Sequence, residues 1–470
     1  MPPLIVPIDY RDPVAAFAPL ANEPMAVLLD SAEPTAQGRF SYIAADPFRI
    51  IQSSAKPWRV TVDGRAVTDD PFAAVARTLR EFKLGEFSQP SMSLPVPFGG
   101  GAIGFFSYEL GGVLEQLPVP HPAFLPVDMI VGVYDVIAAF DHVTRSAWII
   151  STGLPVSDPS ARAIRAENRA QALLSRLGSD SLVDPPDGWD ATWRQETSRA
   201  VHERKVAETI ELIRAGDIFQ ANLTHRFIAA APDGLDWFAL YRRLRASAPA
   251  PFGAFFNAGD DMRLLSASPE RFLALTNHGR VETRPIKGTR PRSKNAAEDT
   301  RLAAELRTSG KDRAENLMIV DLLRNDLARV CQPGSIAVPV LHRLESFPAV
   351  HHLVSVVTGQ LRSGATAMDL LRACFPGGSV TGAPKIRAME IIRQLEEGAR
   401  GPYCGVLAWL GFDGAMDSSI VIRSLIGNGS HIYAQAGGGI VAESDPAQEY
   451  DESLTKITPL LAALTERPPT

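Results

Sequence analysis

The chain has 470 residues, a formal net charge of −6, and 45% hydrophobic and 21% charged side chains. That is enough chain for a large core and more than one domain, with the ordinary composition of a soluble globular protein. An acidic balance with no long basic run argues against nucleic acid or an anionic membrane as the main partner.

The opening MPPLIVPIDYRDP lacks a basic stretch and a long apolar run, so no secretion signal is expected. No apolar run reaches membrane length, and the chain reads as cytoplasmic. Residues 1–177 read as a strand-rich N-terminal subdomain with many turns, closed by a helix over SARAIRAENRAQALLSRL. The polar stretch 178–197, carrying Gly, Pro and Asp, reads as a linker. From 198 to 470 longer helices alternate with strands, which places the fold in the α+β class. A helix is predicted from Ser198 to a stop at Gly216, and FGAFFNAG and RLLSASPERFLAL read as strands.

TRPIKGTRPR, residues 283–292, alternates like a strand, with Pro285 marking an edge. Its one lysine, Lys287, stands among Arg284, Arg290 and Arg292. Either this is a solvated basic edge, or neighbouring cations depress the lysine's pKa and make it a nucleophile at neutral pH. KDRAENLMIVDLLRNDLARV predicts a helix with apolar residues at Leu317, Met318, Val320, Leu322, Leu323 and Leu327. Asp312 and Glu315 share one face of it, and Glu315 starts an apolar stripe, where a carboxylate needs a partner or a metal. The three cysteines, Cys331, Cys374 and Cys404, are widely spaced and odd in number, so neither a disulfide framework nor a zinc site is expected.

APKIRAMEIIRQLEEG predicts a helix opening at Pro384 and closing at Gly398. QAGGGIVAES puts Gly437, Gly438 and Gly439 at a strand end, either as backbone against an anion or as a tight strand crossing. The last helix begins with Ser444 or Asp445 as N-cap and Pro446 in its first turn, and carries Glu449 and Glu452 three apart. Either acidic pair alone fits a solvated face or a helix N-terminus. Together they would make an all-oxygen site of the kind that suits Mg²⁺.

Nine ordered blocks resemble the chorismate-utilising enzymes: GDIFQANLTHR, SASPERFL, RPIKGTRPR, KDRAENLMIVDLLRNDLARV, HHLVS, CFPGGSVTGAPKIRAMEII, RGPYCG, SSIVIRSL and AGGGIVAESDPAQEYDESLTK. The resemblance is strongest over 216–456 and extends to GGGAIGFFSYELGG at 99–112. It implies two large antiparallel sheets packed face to face with helices outside. It implies Glu315 and Glu452 as Mg²⁺ ligands, with Asp312 and Glu449 reaching the metal directly or through water. Glu270 matches the general acid/base for the leaving C4 hydroxyl, and His352 lies near that centre. Tyr403 and Arg423 match residues that hold a substrate carboxylate, Ser379 one that hydrogen-bonds the ligand, and Gly437 to Gly439 the backbone beside the metal-bound carboxylate.

The motif PIKGT resembles the aminodeoxychorismate branch, whereas the anthranilate branch typically has alanine where Lys287 stands. The implied reaction replaces the C4 hydroxyl of chorismate by an amino group through a covalent Lys287 adduct at C2, toward 4-aminobenzoate and folate. Gln220 stands where isochorismate and salicylate synthases carry a water-activating lysine, so a water-adding enzyme is not expected. No glutaminase sequence is seen, which implies ammonia from a separate glutaminase subunit. AVLLDSAE sits where relatives bind tryptophan, with a loose match. The competing readings are anthranilate synthesis, against which Lys287 speaks, and a non-catalytic chorismate- or tryptophan-binding regulatory paralogue, in which the acidic residues should have decayed.

Overall fold

Near-continuous apolar runs such as Gly101–Phe106, Val136–Asp141 and Val406–Gly411 are buried at every position. Strands of that kind must be covered on both faces. The computed structural model describes residues 2–33, 35, 37–83, 94–179, 182–347 and 350–465, and in it these strands belong to two twelve-stranded sheets. All strand pairings within the sheets are antiparallel, as between Val406–Gly411 and Gly101–Phe106. The sheets face one another: Phe105 of one meets Phe256 of the other at 6.5 Å between ring centroids, and Tyr134 donates across to the Met25 carbonyl at 2.7 Å. Helices Trp237–Ser247 and Pro446–Leu464 cover the outer face of the first sheet. Helices Pro71–Glu81, Gly310–Ala328 and Ala367–Cys374 bury their apolar sides on the second. The α+β class and the paired sheets expected from the sequence are both present.

The sequence stretches on either side of 178–197 are interleaved in space. Val27–Asp30 pairs with Phe252–Gly259 in the first sheet, and Gly101–Phe106 with Val406–Gly411 in the second. Within 178–197 itself, Arg194–Gln195 adds a short strand beside Phe227 and Ile228. Among the described residues no helix is long and apolar enough to cross a membrane.

Local signals set most helix ends. Ser198 caps Arg199–Arg214 by accepting from Val201, and Asp445 caps Pro446–Leu464 by accepting from Gln448. Ser309 caps Gly310–Ala328, in which Ile319, Val320, Leu323 and Leu327 are buried while Leu317 is exposed. The helix Lys385–Leu395 stops short of Gly398 because Glu396 leaves the helical conformation and turns its carboxylate inward to Arg400.

Candidate active site

Lys287 lies on Ile286–Pro291, an end strand of the second sheet paired with Val350–Gln360. The register slips between Lys287 and Thr289, at Gly288, whose φ is +79°. A glycine bulge of this kind re-aims the side chains beside it. The three arginines each have another partner. Arg284 pairs with Glu345 at 2.7 Å, Arg290 with Glu305 at 2.8 Å and Asp312 at 3.3 Å, and Arg292 with Asp299 at 2.9 Å. None is left as a free charge for Lys287, which corrects the idea that they set its reactivity. Lys287 faces acids instead, and its charge acts on Glu270, Glu315 and Glu452.

Glu270 follows the strand Met262–Ser268 and is buried. Burial pushes its carboxyl up to about 7, opposed by a hydrogen bond from Ser379 and by Lys287. Near neutral pH it holds a proton about half the time, which suits a general acid/base. His352 shares a 2.9 Å hydrogen bond between Nδ1 and Thr289 Oγ1. Burial, then the Arg423 charge, push its imidazole down to about 4, so it is neutral at pH 7.

Arg423 has a left-handed φ of +52° and no hydrogen-bond or ion-pair partner for its guanidinium among the described residues. Burial lowers its pKa, and Tyr403, itself buried, stands close enough to act on it. A desolvated cation without an anion is costly. In kind, the pair suits an anionic group of a ligand.

Gly437, Gly438 and Gly439 lie inside the strand His431–Ile440, opposite Thr224, Leu223 and Asn222. A Cβ on Gly437 would stand 1.9 Å from the Leu223 carbonyl oxygen, the mark of a tight strand crossing. A Cβ on Gly438 would meet Glu449 Oε2 at 3.1 Å; one on Gly439 would meet Gln220 Nε2 at 2.5 Å and Lys287 Nζ at 2.9 Å. The last two glycines thus leave room for site side chains. Gln220 is fully buried, and neither its amide oxygen nor its nitrogen has a partner among the described residues. An orphaned buried amide costs about 1–3 kcal/mol. A ligand beside Lys287 would relieve it.

These contacts separate two kinds of glycine. Gly437→Ala should lose about 3 kcal/mol or more of stability, because backbone must move. Gly439→Ala should melt close to the parent yet lose most activity, because its methyl meets only side-chain ends, one of them Lys287. Thermal melts and turnover on the two variants check the contrast, and equal melting loss in both would refute it.

Glu449 Oε1 accepts from Ser444 at 2.7 Å and lies 3.4 Å from Lys311 Nζ. Glu452 lies 2.7 Å from Lys456, which also donates to the Gly437 carbonyl at 3.0 Å. Burial raises the Glu315 carboxyl; Lys287 and Lys311 oppose this, and Asp312 and Glu449 add to it. For Glu452 burial works upward too, but Lys456, Lys311 and Lys287 together hold it below its ordinary value. Asp312 is turned toward Arg290. Among the described residues no three acidic, His or Cys groups converge closely enough to hold a metal as they stand. In kind, however, the Glu315, Glu449 and Glu452 oxygens fit a hard divalent cation, and lysines supply the countercharge that such an ion would take over. Lys311 and Lys456 escaped the sequence reading, and Ser444, weighed there as an N-cap, instead donates to Glu449 while Asp445 caps the helix. The i, i+4 spacing of Lys311 to Glu315 and of Glu452 to Lys456 was the available signal.

The structure thus gathers Lys287, Glu270, Ser379, Gln220, Gly439 and the three glutamates, with His352, Tyr403 and Arg423 as an adjoining group. Elsewhere, Leu29, Asp30 and Ser31 of AVLLDSAE line a pocket between the sheets with Tyr42, Trp409 and Asp417.

A profile of the family described as chorismate binding enzyme matches residues 26–462. The chain is 41% identical to aminodeoxychorismate synthase component 1 of Klebsiella aerogenes, over 98% of this chain and 99% of that one. It is 38% identical to anthranilate synthase component 1 of Streptomyces coelicolor, over 97% and 87%. Its fold superposes on the crystal structure of anthranilate synthase component I from Streptococcus pneumoniae with a TM-score of 0.77 at 32% identity, covering 90% of this chain and 92% of that one.

Proposed function

The chain belongs to the chorismate-binding enzyme family, and we propose that within it this protein is a cytoplasmic enzyme that aminates chorismate at C4. The product is 4-amino-4-deoxychorismate, on the way to 4-aminobenzoate and folate. The observation that carries this reading is Lys287 set against Gly439 and within the field of Glu270, beside the orphaned amide of Gln220.

Chorismate is a dicarboxylate. Arg423 and Tyr403 are the cationic end of the site and hold one carboxylate. Glu315 and Glu452, with Glu449 and Asp312 beside them, would hold Mg²⁺, which would offset the charge of the ring carboxylate. Protonated Glu270, steadied by Ser379, gives its proton to the C4 hydroxyl, which leaves as water. The Lys287 amine forms a bond to C2 as the ring double bond shifts. Ammonia then bonds to C4, the C2–N bond breaks, and the proton that ammonia sheds returns to Glu270. OH has been replaced by NH₂ at one carbon, and one difficult displacement has become two easier ones. Neutral His352 offers a polar contact near this centre. Gln220 donates to the bound ligand and lacks the basicity to activate water.

Chorismate, Mg²⁺ and an ammonium salt supplied to the purified chain give aminodeoxychorismate on this reading. Anthranilate, isochorismate or no product would each refute it. Ammonia comes from a separate glutaminase subunit, so glutamine alone should support no turnover, and glutamine-dependent turnover by the single chain would overturn this partner assignment. The pH profile has a defined shape. Glu270 must be protonated, so that requirement fails as pH rises above about 7, while free NH₃ grows about tenfold per unit below its pKa. At fixed total ammonium the rate should climb less steeply above about pH 7 than below it, because there Glu270 loses its proton while free NH₃ and free Lys287 amine still grow. A profile with no break near pH 7 would remove Glu270 from the role of acid.

A further inference from the structure

Arg400 is 1% exposed and is the largest side chain that the fold buries almost completely. Its Nε meets Glu396 Oε2 at 2.9 Å and its Nη2 meets Glu396 Oε1 at 2.6 Å. Nη2 also donates to the Asn222 carbonyl at 2.6 Å, and Nη1 to the Val380 carbonyl at 2.8 Å. The guanidinium lies 4.4 Å from the ring centroid of Tyr108. The Arg400 carbonyl accepts from Gln435 Nε2 at 2.9 Å, and Glu396 Oε1 accepts from both the amide and the hydroxyl of Thr224 at 2.9 Å.

Each of these anchor points adjoins a site residue. Val380 follows Ser379. Asn222 is the ladder partner of Gly439 and shares a strand with Gln220. Thr224 is the partner of Gly437, and Gln435 precedes Gly437 on its own strand. Arg400 itself lies just before Tyr403. The ion pair therefore ties together two segments that build the site, the Val380 turn and the strand of Asn222 and Thr224, while the Arg400 backbone reaches a third at Gln435, and none of the reacting groups is touched.

A buried ion pair is a weak source of stability, because desolvation offsets most of its attraction, and apolar replacements are often neutral. What the planar fork of arginine supplies is a fixed arrangement of several acceptors at once. We propose that Arg400 and Glu396 are positioning residues for this active site, keeping the Gln220 strand and the glycine run fixed around Glu270 and the turn of Ser379 and Val380 beside it.

The proposal rests on the reading of Glu270 as the proton donor, and it has a signature that a merely structural role lacks. Two groups face the Glu270 carboxyl, Ser379 and Lys287, and both favour its ionised form against burial. Withdrawing Ser379 removes one of them, so the titration of Glu270 must move further up.

The test uses the full chain. Arg400→Lys keeps the cation and loses the fork; the double change Arg400→Met with Glu396→Met removes both charges together. Both should fold and melt cooperatively, with the KM for chorismate nearly unchanged. Each should lose about tenfold to a hundredfold in kcat, the scale of a small misplacement. Difference infrared spectroscopy of the carboxyl band, assigned with Glu270→Gln, should show Glu270 titrating higher in both, as it does in Ser379→Ala. Adding Ser379→Ala to Arg400→Lys should move it no further. An unmoved titration overturns the proposal, as does a kcat loss that follows thermal stability alone. Failure of both variants to fold also overturns it, because the pair would then serve the fold. The infrared readout needs no turnover, so a shifted titration in a chain that makes no aminodeoxychorismate would sink the proposed function and leave the positioning role standing.

Discussion

Replacing Lys287 by alanine will leave the chain folded and chorismate bound, and will slow amination by at least about a hundredfold. Lys287 is half-buried on an end strand, so its stem carries little of the core. Its amine stands against Gly439, within the field of Glu270, Glu315 and Glu452. Loss of that charge alone would let the Glu270 carboxyl titrate higher. Lys287→Arg separates the two effects: guanidinium keeps the charge beside Glu270 and cannot attack carbon. It should therefore fail to restore the rate. Mass spectrometry of the wild-type chain with chorismate and no ammonia should show Lys287 carrying chorismate less one water. A wild-type rate in the alanine variant, or full rescue by arginine, would make Lys287 an electrostatic residue and remove the covalent step.

The second large effect is the metal. Glu315→Gln or Glu452→Gln should nearly abolish turnover while the fold survives: at Glu315 the change removes a charge that burial disfavours, and at Glu452 it gives up an exposed ion pair with Lys456. Activity should require Mg²⁺ and return when it is restored after chelation. The ion would take over the countercharge that Lys311 gives Glu449 and Lys456 gives Glu452. Full activity in excess chelator would refute the requirement, and a Glu452→Gln variant with normal turnover would remove Glu452 from the ligand set.

Signals within one turn or one motif were legible in the sequence. Pro446 marked the start of the last helix, with Ser444 or Asp445 expected as its cap and Asp445 found there, and the acidic residues three apart on two helices pointed to one wall of the candidate site. Signals that depend on a distant partner were not. The arginines around Lys287 looked like a field acting on it, because Glu345, 61 residues from Arg284, could not be seen to pair there. Strand alternation failed as a guide at Gly288, where a bulge shifts the register. Gly398 looked like the helix stop, but a contact between Glu396 and Arg400 ended the helix earlier. Arg400 itself was one letter in RGPYCG, since burial leaves no local mark on an arginine.

The interleaving of the two sheets bears on how the chain reaches this state. Asp30 waits for Gly253, and Phe105 waits for Leu407, before either sheet can close. Loop closure over such separations is slow, and high contact order lowers the folding rate. During synthesis the early strands emerge with their edges unpaired and their apolar faces bare, while the strands that complete them are still hundreds of residues away. The candidate site inherits this order of events: Glu270 and Lys287 meet the glycine run of His431–Ile440 only after that strand has been made. A nascent or truncated chain ending before Val406–Gly411 lacks the strand that joins Gly101–Phe106, and the strands beyond it, to the half of the sheet that carries Lys287. Such a chain leaves an unpaired strand edge and bare apolar faces, the features that expose a chain to aggregation and chaperones.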